Sequence, residues 1–395
     1  MSFGIYIHWP FCKSKCPYCD FNSHVAERID HKRWRDAYLR SLGHWFGQTK
    51  DRAVETVFFG GGTPSLMEPQ TVADIISFIK DHWDVAPNVE VTLEVNPTSF
   101  EIPKFEAFRM GGVNRVSIGV QSLRADDLKF LGREHNPDQA KEAIRAAAQI
   151  FDRTSFDLIY ARPHQSIDDW RSELDEALGM AGGHLSLYQL TIEQGTPFYT
   201  RHARGEFHVP EQDTAADFYD VTQDVLEAAG LPAYEVSNHA RVGEESRHNL
   251  IYWRYGDYIG IGPGAHGRVT LEDKKFATRD HRAPDVWLAR IEGTGTGGDA
   301  PELVDLYARF QECLMMGLRL REGVPFARLG QALGSDVWDV MDRSRLKSLI
   351  DAGMIEDDQK TLRTTPQGFK CLNAVLGYLL GSSRVGSHGG SAHHR

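Results

Sequence analysis

From residue 4 to about residue 192 the chain alternates between short β-branched or aromatic runs and longer stretches with helical spacing. GIYIHWP precedes a helical pattern over roughly 29–49, ETVFFG precedes 69–83, and EVTLEV precedes 101–111. RVSIGVQ then leads into 137–151, FDLIYA into 166–180, and HLSLYQLTI closes the series. Six strands in strict βα order predict a parallel sheet, because each return to the sheet must cross over through a helix, and such crossovers are right-handed. Six units are fewer than the eight of a closed barrel. The expected class is therefore α/β, a partial (β/α)6 TIM-like barrel, with a doubly wound sheet as the competing architecture.

Beyond the alternation, EQDTAADFYDVTQDVLEAAG at 211–230 reads as an amphipathic helix ending at a glycine, followed by the strand-like AYEVSNHA. The Gly-dense GTGTGGDAP at 293–301 has no apolar period and reads as a linker. Residues 302–380 read as helices with a hairpin around MIEDDQKTLRTT, a small winged-helix-like domain. The expected organisation is a barrel over 1–205, an extension over 206–292, the linker, the C-terminal domain, and a disordered tail, GSSRVGSHGGSAHHR, over 381–395. A net charge of −11 weighs against general nucleic-acid binding, which needs clustered Lys and Arg, although a local basic patch is compatible with it. No apolar run reaches 18 residues, and the opening MSFGIYIHWPFCKSKC has no basic n-region. The expectation is a cytoplasmic chain without a membrane span or signal peptide.

Five cysteines in 395 residues, three of them at 12, 16 and 19, do not suit a disulfide framework. Cys12, Cys16 and Cys19 follow the first strand directly, where the loops of a βα barrel build its site. Pro17 interrupts helix there, so the loop can wrap three thiolates around one inorganic centre. A cubane offers four iron corners, and three protein ligands leave one open. A zinc site completed by His8 or Asp20 is the bland alternative, and chance spacing is another. Cys313 and Cys371 lie in apolar helical runs and read as core.

Other strand ends carry polar groups. Gly60-Gly61-Gly62-Thr63-Pro64 follows the second strand and permits close backbone approach to a ligand, or merely a tight turn. The third strand ends at Glu94-Val-Asn96-Pro97 and the fourth at Gln121, with Arg133 following, while Asp157 interrupts the apolar FDLIYA. Singly, each reads as a cap, a surface charge or a buried ion pair; together they place donors and acceptors around one mouth.

Cys-x3-Cys-x2-Cys after a first strand resembles the radical S-adenosylmethionine (SAM) superfamily, and the whole chain resembles its coproporphyrinogen III oxidase-like branch. That resemblance implies a partial barrel of the radical SAM type and a [4Fe–4S] cluster on Cys12, Cys16 and Cys19. The open iron would chelate SAM, whose reductive cleavage yields a 5′-deoxyadenosyl radical in the family. It further implies SAM contacts by Tyr6, Gly61, Gly62 and Thr63, with Glu94 on the methionine amino side. Gln121 and Asp157 match ribose positions, and Arg133 matches the carboxylate partner. Ala161-Arg162-Pro163-His164 departs from the family's more usual Gly-Leu-Pro-Gly.

Within the branch, oxygen-independent coproporphyrinogen III oxidases, which make protoporphyrinogen IX by oxidative decarboxylation, usually carry a further Cys where this chain has Phe21. They also carry a longer N-terminal extension. Both departures weigh against oxidase activity, which stays as the alternative reading beside a different radical enzyme such as a methyltransferase. His248-Asn249-Leu250-Ile251-Tyr252-Trp253 resembles instead the signature of the branch's haem chaperones. This implies haem as cargo with His248 as its contact, His266 being a secondary candidate. A hydrogen-bonded histidine beside aromatic core is the alternative. The implied partners are haem-accepting proteins, those of the respiratory chain included, and an electron donor such as flavodoxin or ferredoxin; a homodimer is compatible with it. GDYIGIGPGAHG lacks the spacing of a dinucleotide loop and reads as a bend around the site.

Overall fold

The alternating stretch folds into the strands it predicts. In the computed structural model, which describes residues 2–99 and 101–381, β1 (Phe3–Trp9) runs into a two-stranded parallel ladder of β2 (Phe11–Cys12) and β3 (His24–Val25). Then come β4 (Ala53–Gly61), β5 (Asp84–Val95), β6 (Arg115–Gln121), β7 (Arg153–Tyr160) and β8 (His184–Gln189). β1 and β4 to β8 stand side by side in chain order, every pairing parallel. A doubly wound sheet would reverse its order partway. This one does not, and its ends stay open, so it is a partial barrel.

The helices between these strands begin where the sequence caps them. Asp30 accepts from the Arg33 amide at the start of His31–Thr49. Asn136 with Gln139, and Ser166 with Asp169, form capping boxes for Pro137–Ile150 and Ile167–Leu178. Pro69–His82 buries Val72, Ile75, Ile76 and Ile79, the i, i+3, i+4, i+7 face expected of a helix lying on a sheet. A short helix, Ala125–Phe130, precedes Arg133 and was not expected.

Past β8 the sheet grows at both edges. β9 (Asn238–Ala240) pairs antiparallel with β8, and β10 (Asp257–Ile261) pairs parallel with β1, Tyr6 opposite Gly260. An antiparallel run of β11 (His266–Leu271), β12 (Lys274–Arg279) and β13 (Glu302–Leu303) continues from β10. Thus only Gly262–Gly264 of GDYIGIGPGAHG is a bend, and DYIGI is a strand. The Gly-rich stretch 293–301 is no free linker either. The helix Pro284–Thr294 enters it and stops at left-handed Gly295, and a Cβ on Gly297 would overlap the Trp287 ring.

The chain divides into two compact units. The first comprises Met1–Ala233, Ser237–Ile251 and Gly256–Leu303 and holds the sheet. The second comprises Tyr234–Val236, Tyr252–Tyr255 and Val304–Arg395, described as far as Gly381. Its core of Phe310, Leu314, Leu329, Leu346, Leu362 and Leu376 joins four main helices to a three-stranded wing of β14 (Val324–Pro325), β15 (Ile355–Asp357) and β16 (Thr361–Thr364). This is the winged-helix-like domain expected. Buried Cys313 belongs to that core, and half-buried Cys371, whose sulfur lies 3.7 Å from Met354 Sδ, packs against it. Residues 382–395 of the expected tail lie outside the described residues.

Candidate SAM and iron–sulfur site

β1 delivers the cysteine loop to the C-terminal mouth of the barrel. After Pro10, β2 ends at Cys12, the chain turns with the Cys19 amide donating to Cys16 O (3.1 Å), and β3 returns alongside β2. The loop is clamped from β4: Gly62 N donates to Trp9 O at 2.7 Å and Thr63 N to Phe11 O at 2.9 Å. A Cβ on Gly62 would stand 2.7 Å from Phe11 O, and one on Gly61 (φ 113°) would stand 2.6 Å from the His8 ring. These glycines therefore admit the cysteine loop itself, beyond the ligand approach read from the motif.

Each thiol has a polar neighbour. Thr63 Oγ1 donates to Cys12 Sγ (3.4 Å), Arg133 Nη1 donates to Cys16 Sγ (3.4 Å), and Cys19 Sγ lies 3.7 Å from Ser23 Oγ. Burial pushes the Cys12 and Cys19 thiols up, against these hydrogen bonds. All three are free thiols.

The lumen beneath carries the predicted acids. Gly61 N donates to Glu94 Oε2 (3.1 Å), and Ser117 Oγ donates to Asp157 Oδ1 (3.3 Å). Burial, with the Asp157 charge adding to it, pushes the Glu94 carboxyl up to about 8 against the Gly61 amide. Burial likewise raises Asp157 to about 6, against hydrogen bonds from Ser186 and Ser117. Across the lumen a Cβ on Gly119 would meet both Gln121 Nε2 and Arg133 Nη2, so those two side chains converge. Arg133 Nη2 donates to Gly119 O (2.6 Å), while its buried Nε has no hydrogen-bond partner among the described residues. A buried guanidinium with an open donor beside three thiols suits a carboxylate-bearing ligand. Gln121 itself sits at φ 76°, costly for a side-chain-bearing residue, at an irregularity in the β6–β7 pairing.

Sequence reasoning missed the relay that ties this floor to the loop. Tyr6 Oη lies 2.9 Å from His8 Nδ1, and His8 Nε2 lies 3.0 Å from Asn22 O. A carbonyl only accepts, so Nε2 carries the proton and Nδ1 accepts from Tyr6. Burial, the dominant cause, lowers His8 to about 4 and keeps it neutral. With both nitrogens engaged, His8 does not complete a zinc site. Asn22 Nδ2 in turn donates to Pro263 O (2.8 Å) and Arg282 O (2.9 Å), which is the work of the glycine bend. The signal lay in Gly264, where a Cβ would strike Asn22.

The unusual Ala161-Arg162-Pro163-His164 also has a use. Ala161 (φ 57°) and His164 (φ 64°) keep the left-handed backbone that glycines would adopt. Arg162 is buried, pairing with Glu173 (2.5 Å) and Asp127 (2.8 Å). Glu173 also accepts from Ser122 Oγ and Leu123 N, both at 2.7 Å. The end of β7 is thereby fastened to the segment just after Gln121.

His248 does not join this group. It is fully buried at the opposite, N-terminal end of the lumen, where Nδ1 lies 2.7 Å from Thr56 Oγ1 and its ring stacks on Phe58 at 5.1 Å. A Cβ on Gly4 would touch it. The expected haem contact is thus a buried imidazole bonded to Thr56 and stacked on Tyr6 at 6.4 Å. His266 is exposed at the start of β11.

The donor set fits the group the motif implies: three thiols on one loop, a glycine clamp, an arginine with an open donor, and two acids at one mouth. The radical SAM superfamily model matches residues 6–177, and the HemN C-terminal domain model matches 305–370. The heme chaperone HemW of Escherichia coli is 41% identical over 94% of this chain and 97% of its own length. The mitochondrial radical S-adenosyl methionine domain-containing protein 1 of Mus musculus is 37% identical over 95% of this chain and 87% of its own. Among solved structures, the coproporphyrinogen III oxidase HemN of Escherichia coli superposes with a TM-score of 0.80 at 18% identity, covering 96% of this chain and 90% of that one.

Proposed function

The chain belongs to the radical SAM superfamily, and on that premise we propose that it is a haem chaperone, binding haem and passing it to haem-requiring proteins. The family implies SAM and a [4Fe–4S] cluster. One observation carries the chaperone reading. Likeness to a protein named heme chaperone runs through both units at 41% identity, covering 94% of this chain. Likeness to the oxidase structure, at 18% identity, speaks for the fold alone.

In this reading Cys12, Cys16 and Cys19 hold the cluster, and Thr63 and Arg133, already bonded to two of those sulfurs, steady their charge. The open Nε of Arg133 takes the SAM carboxylate, Glu94 and the Gly61–Thr63 turn take its amino group, and Gln121 and Asp157 take the ribose. Tyr6 works through His8 to hold the loop that carries the cysteines. When bound, the cluster supplies an electron donor and an open iron coordination position. The recipients are haem proteins, the electron donor a small flavodoxin or ferredoxin, and the setting a reducing cytoplasm that keeps the thiols free. Among the described residues no helix is long and apolar enough to cross a membrane.

The test is haem transfer. Protein reconstituted without air and loaded with hemin should restore the Soret spectrum of a haem-free b-type cytochrome. Failure to retain hemin would sink this reading, and SAM-dependent release of carbon dioxide from coproporphyrinogen III under a reductant would replace it with the oxidase.

A further inference from the structure

His248 is buried and bonded to Thr56, so an imidazole open to a bulky cargo has to be sought on the surface. Haem is a flat apolar disc whose iron takes imidazole and whose propionates take guanidinium. A seat for it therefore needs an accessible imidazole, an aromatic footing and a basic side chain in one patch.

Residues 196–209 hold all three, directly against the cysteine loop. The helix Pro197–Ala203 is capped by Thr196 and fastened by the Phe198 amide, which donates to Pro17 O at 2.9 Å. Tyr18, between Cys16 and Cys19, packs its ring 6.2 Å from that of Phe198. Phe198 and Phe207 are buried in a satellite core with Leu131, Ile159 and Leu190, so the patch has a rigid base. A turn at Gly205 (φ 71°) then brings His208 back beside His202, ring centroids 6.4 Å apart.

The two imidazoles differ from the histidines buried in the barrel. His8, His135, His184 and His248 are each buried and hydrogen-bonded. His208 is exposed and His202 half-buried, and neither ring is hydrogen-bonded among the described residues. Around them, the Arg201 guanidinium lies over Phe130, Phe198 and Phe207 at 5.4 to 5.8 Å and donates to Glu206 at 3.0 Å. Arg204 is the available cation: its side chain is 70% exposed and stands 4.0 Å from Glu206.

Resting on the haem-chaperone reading, the geometry points to residues 196–209 as the haem seat, with His208 as the iron ligand, His202 beside it, and Arg204 for a propionate. Because the seat hangs from Pro17, the cargo sits next to the cluster loop.

Hemin titration of the full-length, reconstituted protein, followed in the Soret band and by electron paramagnetic resonance, tests this. Replacing both His202 and His208 with Ala should weaken hemin binding by about tenfold or more, and remove a nitrogen-ligated low-spin signal. Added imidazole should restore that signal. Arg204→Ser should weaken binding severalfold with the spectrum unchanged. Iron and sulfide content should match the unmodified protein throughout, showing that the surface changes left the fold intact. An unchanged Soret position and affinity in the double variant overturns the seat while leaving the chaperone reading standing. If the unmodified protein takes up no hemin, both fall together.

Discussion

The two ends of the barrel lumen are built from the same kinds of residue and treat them oppositely. At the N-terminal end, burial would raise Asp257, but Lys275, Arg52 and Thr270 outweigh it and hold the carboxyl below its usual range. Nearby, Glu90 pairs with Arg153 at 2.5 Å and accepts from the His248 amide, and His248 bonds Thr56. At the C-terminal end, Glu94 and Asp157 are raised instead of lowered, Arg133 keeps an open donor, and Gln121 and Ala161 hold left-handed backbone. Asp257 and Glu90 are ion-paired at one end, whereas Glu94 and Asp157 have no ion pair among the described residues at the other. In such barrels polar residues at strand starts serve stability, and those at strand ends are where a site is sought.

That contrast breaks most sharply with the cysteines. Cys12→Ser, Cys16→Ser or Cys19→Ser should each bring iron and sulfide after anaerobic reconstitution close to background, with the folded far-ultraviolet signal retained. A full cubane in any of them would remove that cysteine from the ligand set. His248→Ala should do the reverse. It removes a stacked buried ring and strands the Thr56 hydroxyl, so stability should fall by about 3–5 kcal/mol in a denaturant titration. Iron uptake and hemin binding at permissive temperature should persist; loss of hemin binding without loss of stability would return His248 to the site.

A subtler effect sits on Glu94. Its raised value favours the protonated form before ligand arrives, whereas a ligand ammonium needs the carboxylate. SAM affinity should therefore rise with pH toward about 8, as followed by equilibrium dialysis. The same shift gives the sign for the ligand-free fold. The contribution of Glu94 to stability is present below 4.5 and is lost as pH rises through about 8. Glu94→Gln should flatten both profiles. Smallest is Gln121→Gly, which relieves a left-handed side-chain-bearing residue (φ 76°) and should change stability by less than about 1 kcal/mol, in the stabilising direction, while weakening SAM binding. A stability loss there would show that the backbone irregularity carries no strain.

Much of the fold was legible because period-two strands and capped amphipathic helices are local signals: Ser166 with Asp169, or Ile75 with Ile79, can be read from spacing alone. Less legible was what depends on distant partners. DYIGI reads as part of a glycine-rich bend until β1 is placed beside it. The β11–β12 hairpin turns on Glu272 (φ 48°) and Asp273 (φ 62°), where Asn and Gly would have announced it. The site residues were visible as polar interruptions at strand ends, but nothing in HNLIYW distinguishes a haem contact from a buried imidazole. The burial of His248 against Gly4 and Thr56 came from strands distant in sequence.

One pairing bears on how the protein is made. β1, which carries the cysteine loop, is flanked on one side by β4 and on the other by β10, and Asn22 is held by Pro263 and Arg282. While the chain emerges from the ribosome, β1 keeps one bare edge until more than 250 residues have followed it, and bare edges invite wrong pairings. Iron loading thus belongs after Arg282 has emerged, when the loop is finally braced. A nascent chain halted before Asp257 would present its cysteines on an unfinished and aggregation-prone border.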